Sequence, residues 1–157
     1  YGVLDQIDFL VGTFGKAIAS IGGYIICDPI IRDYLINKMR PLIFSTALPP
    51  ISMAWSDFIF NKVLNMQQQR QHLAEISQYL QQAVIAKGFS SPSTSHIVPI
   101  IVGESQAAIK KARYVQQQGF YAMPVRPPTV PQNSSRLRIS LTALVQKNEL
   151  QQLVECL

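Results

Sequence analysis

The chain has 157 residues, of which 48% are hydrophobic and 15% charged, with two cysteines and a net charge of +5. This length is enough for one ordinary domain with a hydrophobic core. No apolar run reaches the roughly 18 to 20 residues that a membrane span needs. The two cysteines lack the spacing of a zinc site or a disulfide framework. We therefore expect a protein of the reducing cytoplasm with no membrane span and no structural metal.

The excess of positive charge is scattered along the sequence. Lys110 and Lys111 form the only adjacent basic pair, and no basic cluster is interleaved with aromatic residues as in a surface that binds single-stranded nucleic acid. This distribution argues against a nucleic-acid partner. It suits a ligand that carries phosphate or carboxylate groups.

The first segment, residues 1–50, has short apolar runs separated by glycines. The pattern predicts buried strands joined by tight loops, with a helix from Pro29 to about Met39. The predicted strands lie in three runs: IDFLVGTF, GGYIIC and LIFSTAL. Cys27, at the end of the second run, is expected to be a buried small hydrophobic residue.

The second segment, residues 51–88, has apolar residues at helical spacing and a plausible stop at Gly88. Its polar middle, Gln67 to Gln71, predicts a break or bend and a domain boundary near it. We expect Trp55 and Tyr79 to be packing residues of this linking helix, and His72 to be solvated.

The third segment, residues 89–157, alternates between strand and helix patterns. The predicted order is a strand at Ile97–Val102, a helix at Ser105–Gln118 capped by its serine, a strand at Phe120–Val125, a rigid loop at Arg126–Pro131, a strand at Arg136–Thr142 and a helix at Lys147–Leu157. Three strands with helices on one side make a small α+β domain. His96, in the loop before it, is expected to be solvated.

One lysine stands out chemically. Lys16 follows a predicted strand and lies between Gly12 and Gly22, in a loop where glycines allow close approach to a ligand. Such a lysine suits Schiff-base chemistry or a general base, although the same pattern fits a surface residue in a turn. The loop is not a nucleotide-binding P-loop, because Ala17 follows Lys16 where that motif needs Ser or Thr.

Four segments together match one family. In chain order they are Gly12–Ala17 with Gly22–Tyr24, Phe44–Pro50, Arg126–Pro131 and Arg136–Ala143. They resemble motifs of the α-oxoamine synthases, pyridoxal 5'-phosphate enzymes of the aspartate-aminotransferase fold type. The resemblance implies an α/β fold, the C-terminal part of a fold-type I PLP-dependent transferase. Residues 1–50 would be the end of the large-domain sheet, 51–88 a linking helical segment and 89–157 a small C-terminal α+β domain, with the N-terminal half missing.

The resemblance also implies roles for residues near the lysine. Lys16 would hold pyridoxal phosphate through a Schiff base and then remove the Cα proton of the amino-acid substrate. Thr13 would hydrogen-bond the cofactor phosphate. Ser45 and Thr46 would reach the phosphate of the cofactor in the neighbouring subunit, which implies a homodimer with shared sites.

The C-terminal motifs imply the substrates. Arg138 would bind the amino-acid carboxylate, with Arg136 as the open alternative two residues away, and Arg126 and Thr129 would line the acyl side. The Arg-Pro-Pro form most resembles the biotin-pathway branch of the family, which implies L-alanine and a pimeloyl thioester as substrates. Another family activity, such as that of glycine C-acetyltransferase, and a catalytically inactive fragment stay open. So does the carrier of the acyl group, coenzyme A or acyl carrier protein.

Overall fold

The computed structural model describes residues 2–157, so position 1 of the first expected segment lies outside the described residues. The chain forms two compact units, which meet in the sequence between Met66 and Gln67. The first unit contains, after a 3-10 turn at Leu4–Gln6, β1 (Leu10–Thr13), β2 (Gly23–Ile26), α1 (Pro29–Lys38), α2 (Arg40–Ile43) and α3 (Pro50–Leu64). The second contains α4 (Gln67–Ala86), β3 (Ile97–Gly103), α5 (Ser105–Gln117), β4 (Met123–Val125), β5 (Ser135–Ser140) and α6 (Lys147–Glu155).

The first unit is built on an antiparallel hairpin. β1 pairs with β2 from Leu10↔Ile26 to Thr13↔Gly23. The helix predicted after it is confirmed as α1, which begins at Pro29, and the Asp28 side chain accepts a hydrogen bond from the Ile30 N–H at 2.9 Å. Asp28 thereby satisfies one of the amide groups that a helix start leaves without an intrahelical partner.

Two expectations for this unit are wrong. The strands were expected to be buried, but no residue from 2 to 66 is buried, because β1 and β2 pair only with each other. The run LIFSTAL was expected to be a strand, but its start lies in α2 and its end is irregular. Pro41 suits a first helical turn, and Pro49 and Pro50 lack the N–H groups that a strand ladder needs.

The expected linking segment, residues 51–88, contains two helices. α3 ends at Leu64 and α4 begins at Gln67, so the break comes just before the polar Gln67–Gln71 stretch. The two helices belong to different units. Gly88 follows the end of α4 with a positive φ of 87°, a conformation that glycine adopts without the steric cost of a side chain.

The second unit is a small α+β unit of residues 67–157, and it includes α4 from the expected linking segment as well as the expected domain at 89–157. Its three strands form an antiparallel sheet in the order β3-β5-β4, and α4, α5 and α6 pack with it to form one core. β5 alternates strictly: Ser135, Leu137 and Ile139 are buried, while Arg136 and Arg138 lie on the other face. Because successive strand side chains point to opposite faces, the two arginines lie on the face of the sheet that does not pack against the core.

Three further sequence expectations need correction. Ser105 is not a helix cap: Glu104 holds that position, and Ser105 Oγ lies 3.2 Å from Ser135 Oγ. His72 is not simply solvated, because it is half-buried and its Nε2 lies 2.9 Å from the carbonyl oxygen of Val145. Cys27 is half-buried rather than buried. The first two differences involve contacts between residues far apart in the sequence, whereas Cys27 lies in the unit that has no buried residue from position 2 to 66.

Two lysine side chains of the second unit lie over aromatic rings. Burial lowers the pKa of Lys111, and the nearby charge of Lys87 acts in the same direction. The Lys111 ammonium donates to the carbonyl of Leu157 and lies 4.9 Å from the centre of the Phe89 ring. Tyr79 is half-buried against the core, which confirms it as a packing residue. The Lys147 ammonium lies 4.7 Å from the centre of its ring.

Candidate active site

Lys16 lies in a tight, internally bonded loop between β1 and β2. The Phe14 N–H donates to Gly22 O at 3.0 Å, and the Ser20 N–H donates to Phe14 O at 3.0 Å. The Ala19 N–H donates to Lys16 O at 2.9 Å, which closes a turn directly on the lysine. The lysine side chain is exposed. The loop therefore fixes the backbone of Lys16 and leaves its amine accessible.

Two glycines of the hairpin next to this loop leave no free space for a side chain. A Cβ on Gly12 would lie 2.4 Å from Cζ of Tyr24, whose ring crosses over it from β2. A Cβ on Gly23 would lie 2.8 Å from Gly12 O. The Tyr24 ring also lies 5.4 Å from the ring of Phe14. These contacts explain, in packing terms, why glycines flank the lysine in the sequence.

Thr13 belongs to the same end of the hairpin as Lys16. It is the last residue of β1, is exposed, and pairs with Gly23. Ser45 and Thr46 are also exposed. Their segment reaches the lysine loop through Leu48, because a Cβ on Gly22 would lie 2.7 Å from Leu48 Cδ1.

The structure thus groups these residues only in part. Thr13 and Lys16 share one hairpin end. Within residues 2–157, no hydrogen bond joins Ser45 or Thr46 to either of them.

A second group of predicted site residues lines a depression in the second unit. The depression has a volume of about 320 Å³, and its lining includes Thr129, Arg136 and Arg138. Pro99 on β3 and Met123 on β4 flank Arg138 in the sheet register. The structure therefore brings Arg138 and Thr129, two of the predicted substrate-binding residues, to one depression together with Arg136, the alternative to Arg138.

The two arginines differ in their contacts. Arg136 is half-buried, and its Nε donates to Ser134 O at 3.0 Å. Arg138 is exposed, and within residues 2–157 its guanidinium makes no hydrogen bond to protein. The bond to Ser134 uses one of the five N–H donors of Arg136, so its Nη groups stay available as well. Arg138 is the more exposed of the two, and its guanidinium has all five donors available to a carboxylate.

Arg126 stands apart from this depression. It is exposed and begins the Pro-rich loop, in which the Pro127–Pro128 peptide bond is cis. Its carbonyl accepts a hydrogen bond from the Thr129 N–H at 3.0 Å. The loop places Thr129 at the depression, whereas Arg126 does not line it.

Trp55 has a polar role that the sequence did not reveal. Its indole N–H donates to Ala19 O at 3.0 Å, which joins α3 to the lysine loop. The two residues are 36 positions apart, so neither helical periodicity nor local motif predicts the bond. The sequence offered only the tryptophan itself, whose indole N–H usually finds a hydrogen-bond partner when it is covered.

Residues 2–157 contain neither a metal-binding cluster nor a membrane-spanning helix. In the described part of the chain, no cluster of three or more His, Cys, Asp or Glu side chains could hold a metal ion. None of the helices within residues 2–157 combines the length and apolar character needed to cross a membrane.

Comparison with known proteins identifies relatives over the whole described chain. A model of the family described as aminotransferase class I and II matches residues 2–157. The chain is 53% identical over 158 aligned residues to an 8-amino-7-oxononanoate synthase of Haemophilus ducreyi, covering 100% of this chain and 41% of that protein. The chain thus spans about two fifths of the length of the curated relatives it matches.

Solved structures show the same relationship. A serine palmitoyltransferase of Sphingomonas wittichii superposes with a TM-score of 0.90 at 27% identity, over 99% of this chain and 40% of that one. An 8-amino-7-oxononanoate synthase of Francisella tularensis superposes with a TM-score of 0.82 at 25% identity, over 94% of this chain and 44% of that one. The predicted α/β transferase fold is confirmed, and the chain belongs to the aminotransferase class I and II family.

Proposed function

We propose that this chain is part of a pyridoxal-phosphate-dependent enzyme that condenses L-alanine with a pimeloyl thioester. The products would be 8-amino-7-oxononanoate, an intermediate of biotin biosynthesis, carbon dioxide and the free thiol of the carrier. The observation that carries the proposal is 53% identity over the full chain to a relative of that name. The exposed lysine and the open arginine face described above support it chemically.

The residues at the hairpin end fit this cofactor. An aldehyde needs a primary amine, and a phosphate needs hydrogen-bond donors; Lys16 and Thr13 offer both within three positions, and both are exposed. When bound, pyridoxal phosphate supplies an electron sink for the charge that develops on Cα of the amino acid. Lys16 would hold the cofactor covalently, and Thr13 would donate its hydroxyl proton to the phosphate.

Lys16 would also move the proton. With the amino-acid substrate bound, the Nζ atom of Lys16 would lie within reach of its Cα proton and would serve as the base. It would accept the Cα proton and later return one to the product. Its fixed backbone limits the search for this position, because the turn from Lys16 to Ala19 is closed by a 2.9 Å hydrogen bond.

Arg138 would orient the amino-acid substrate. A planar guanidinium binds a carboxylate through two parallel charge-assisted hydrogen bonds, which a lysine cannot do. Arg136 would add positive charge on the same face while it stays bonded to Ser134 O. Thr129, at the same depression, and Arg126 in the loop before it would contact the acyl substrate.

We further propose that the enzyme is a homodimer. Ser45 and Thr46 are exposed and make no hydrogen bond to Thr13 or Lys16 within residues 2–157, which is consistent with a role toward the cofactor of a second subunit. The free cysteines Cys27 and Cys156 are compatible with a reducing compartment, and we propose a cytoplasmic location.

The test uses the full-length enzyme that carries this segment. It is incubated with pyridoxal phosphate, reduced with borohydride, digested and mapped by mass spectrometry. We expect the pyridoxyl group on Lys16. Lys16→Ala should abolish both the label and turnover, whereas Lys38→Ala, at an exposed position of α1, should change neither. A label on another lysine, or turnover by Lys16→Ala, would refute the assignment.

A second candidate function is supported by one observation. The fold is very close to that of a serine palmitoyltransferase, at a TM-score of 0.90, so a related condensation with another amino acid and acyl chain is the alternative. Parallel assays with L-alanine, glycine and L-serine, and with pimeloyl and palmitoyl thioesters, separate these activities. The higher identity to the Haemophilus ducreyi relative, 53% against 27%, favours L-alanine and the pimeloyl group.

A further inference from the structure

The lysine loop contains one residue in an unfavourable backbone conformation. Ala19 has a φ of 50°, in the left-handed region that is costly for residues with a Cβ. Glycine would occupy this conformation without that cost, so a non-glycine residue there must be held by its surroundings.

Lys16 and α3 provide the hydrogen bonds that hold Ala19 in this conformation. The Ala19 N–H donates to Lys16 O at 2.9 Å, and the Ala19 carbonyl accepts the indole N–H of Trp55 at 3.0 Å. The neighbouring Ser20 Oγ lies 2.8 Å from Ser56 Oγ, one residue further along the same helix. Both backbone groups of the strained residue are therefore bonded, one to Lys16 and one to α3.

Trp55 is partly covered in addition to its hydrogen bond. The side chain is 44% exposed, and its ring centre lies 6.0 Å from that of Phe58 on the same helix. The contact that reaches the loop is the N–H bond to Ala19.

We propose that Trp55 is a positioning residue for Lys16, a role that rests on the proposed function of Lys16. The indole N–H keeps the Lys16–Ala19 turn in its left-handed conformation, and the closed turn in turn fixes the direction in which the lysine leaves the backbone. Without this bond, the turn relaxes part of the time and Lys16 is less often placed to react with the cofactor aldehyde.

The test compares variants of the full-length enzyme. Trp55→Phe keeps an aromatic ring and removes the donor, Phe58→Leu is the matched control on the same helix, and Ser56→Ala tests the second contact. The first measurement is amide hydrogen exchange of residues 14–22 without cofactor. The second is the rate at which added pyridoxal phosphate becomes covalently bound to Lys16, followed by its absorbance and by borohydride trapping.

We expect Trp55→Phe to accelerate exchange in the loop and to slow covalent capture, each about three- to tenfold, as for the loss of one ordinary hydrogen bond. Phe58→Leu should change both by less than about twofold. In an Ala19→Gly background, where the left-handed turn is no longer costly, Trp55→Phe should lose most of its effect. A merely structural role of Trp55 would lower the thermal midpoint equally in both backgrounds and would not show this rescue.

The outcomes separate the two proposals. If wild-type enzyme carries no label on Lys16, the proposed function fails, and the positioning role fails with it. If wild type is labelled but Trp55→Phe captures the cofactor at the wild-type rate, only the positioning role is refuted. Faster loop exchange with slower capture, reversed by Ala19→Gly, supports both.

Discussion

Replacing Gly12 by alanine tests the packing of the hairpin that carries Lys16. A Cβ at this position would lie 2.4 Å from both Cζ and Oη of Tyr24 and 2.6 Å from Cε1. Carbon atoms in contact prefer a separation of roughly 3.5 to 4.0 Å. The Tyr24 ring must therefore move by about 1 Å or more, or the strands must separate where Gly12 pairs with Tyr24.

The cost follows from these two responses. Overpacking of this kind typically costs about 1 to 3 kcal/mol. If the half-exposed Tyr24 ring instead swings toward solvent, it loses its contact with the Phe14 ring at 5.4 Å, and such a ring pair contributes about 0.5 to 1.5 kcal/mol. Gly15 is the matched control, because a Cβ there meets nothing closer than Ser20 O at 3.8 Å.

The assay is denaturant unfolding of the full-length enzyme, with amide exchange of residues 10–26 as the local readout. Gly12→Ala should destabilise the hairpin by about 1 to 3 kcal/mol, and Gly15→Ala by less than about 0.5 kcal/mol. Adding Tyr24→Leu to Gly12→Ala should recover much of the loss, since the clashing ring is gone. Equal stability of the Gly12→Ala and Gly15→Ala proteins would show that the reasoning is wrong.

Three other predictions concern the arginine face, the core and the isolated chain. Arg138→Ala should weaken L-alanine binding by about ten- to a hundredfold, and Arg138→Lys should recover only part of the affinity. Arg136→Ala should weaken it much less. The measurement is titration calorimetry of the intact enzyme, and a larger loss for Arg136→Ala than for Arg138→Ala would contradict the assignment. Leu137→Ala, at a fully buried position, should cost about 2 to 5 kcal/mol of unfolding free energy, and Leu144→Ala, at a position 86% exposed, less than about 0.5 kcal/mol; equal costs would contradict the core assignment. The 157-residue chain alone should neither bind pyridoxal phosphate covalently nor catalyse condensation, and proteolysis should cut residues 2–66 before 67–157. Turnover by the mass-verified chain alone would overturn this view. Recovery of activity on mixing with a separately made N-terminal half would support it.

The sequence predicted the elements whose signal is local. α1 follows from Pro29 at a helix start, and β3 from the β-branched run at residues 97–102. The alternation in β5 correctly placed Arg136 and Arg138 on one face. In α1 the proline position, and in β5 the alternation of apolar residues, agree with the structure, so local preference and tertiary structure lead to the same result. β3 forms despite Pro99 in its middle, which is tolerated because β3 is an edge strand.

The candidate site was less predictable. Lys16, Thr13 and Arg138 could be proposed from the motifs they belong to, but nothing local distinguishes Arg138 from Arg136. They differ in burial, which depends on the folded chain: Arg136 is half-buried and Arg138 is exposed. Similarly, the Trp55 N–H bond depends on the left-handed turn at Ala19, which an alanine does not predict in a sequence. Burial and contacts between distant residues thus set features of the site that the local sequence does not show.

In the hairpin, apolar residues do not occupy buried positions. The apolar residues of β1 and β2 indicate strands whose faces are covered, yet within this chain both strands are exposed. A two-stranded hairpin alone is marginal in water, and exposed apolar strand edges invite pairing with further chain. The second unit, by contrast, buries fourteen hydrophobic residues in one core. The relatives are more than twice as long as this chain, and an apolar hairpin of this kind is stabilised when further chain packs against it.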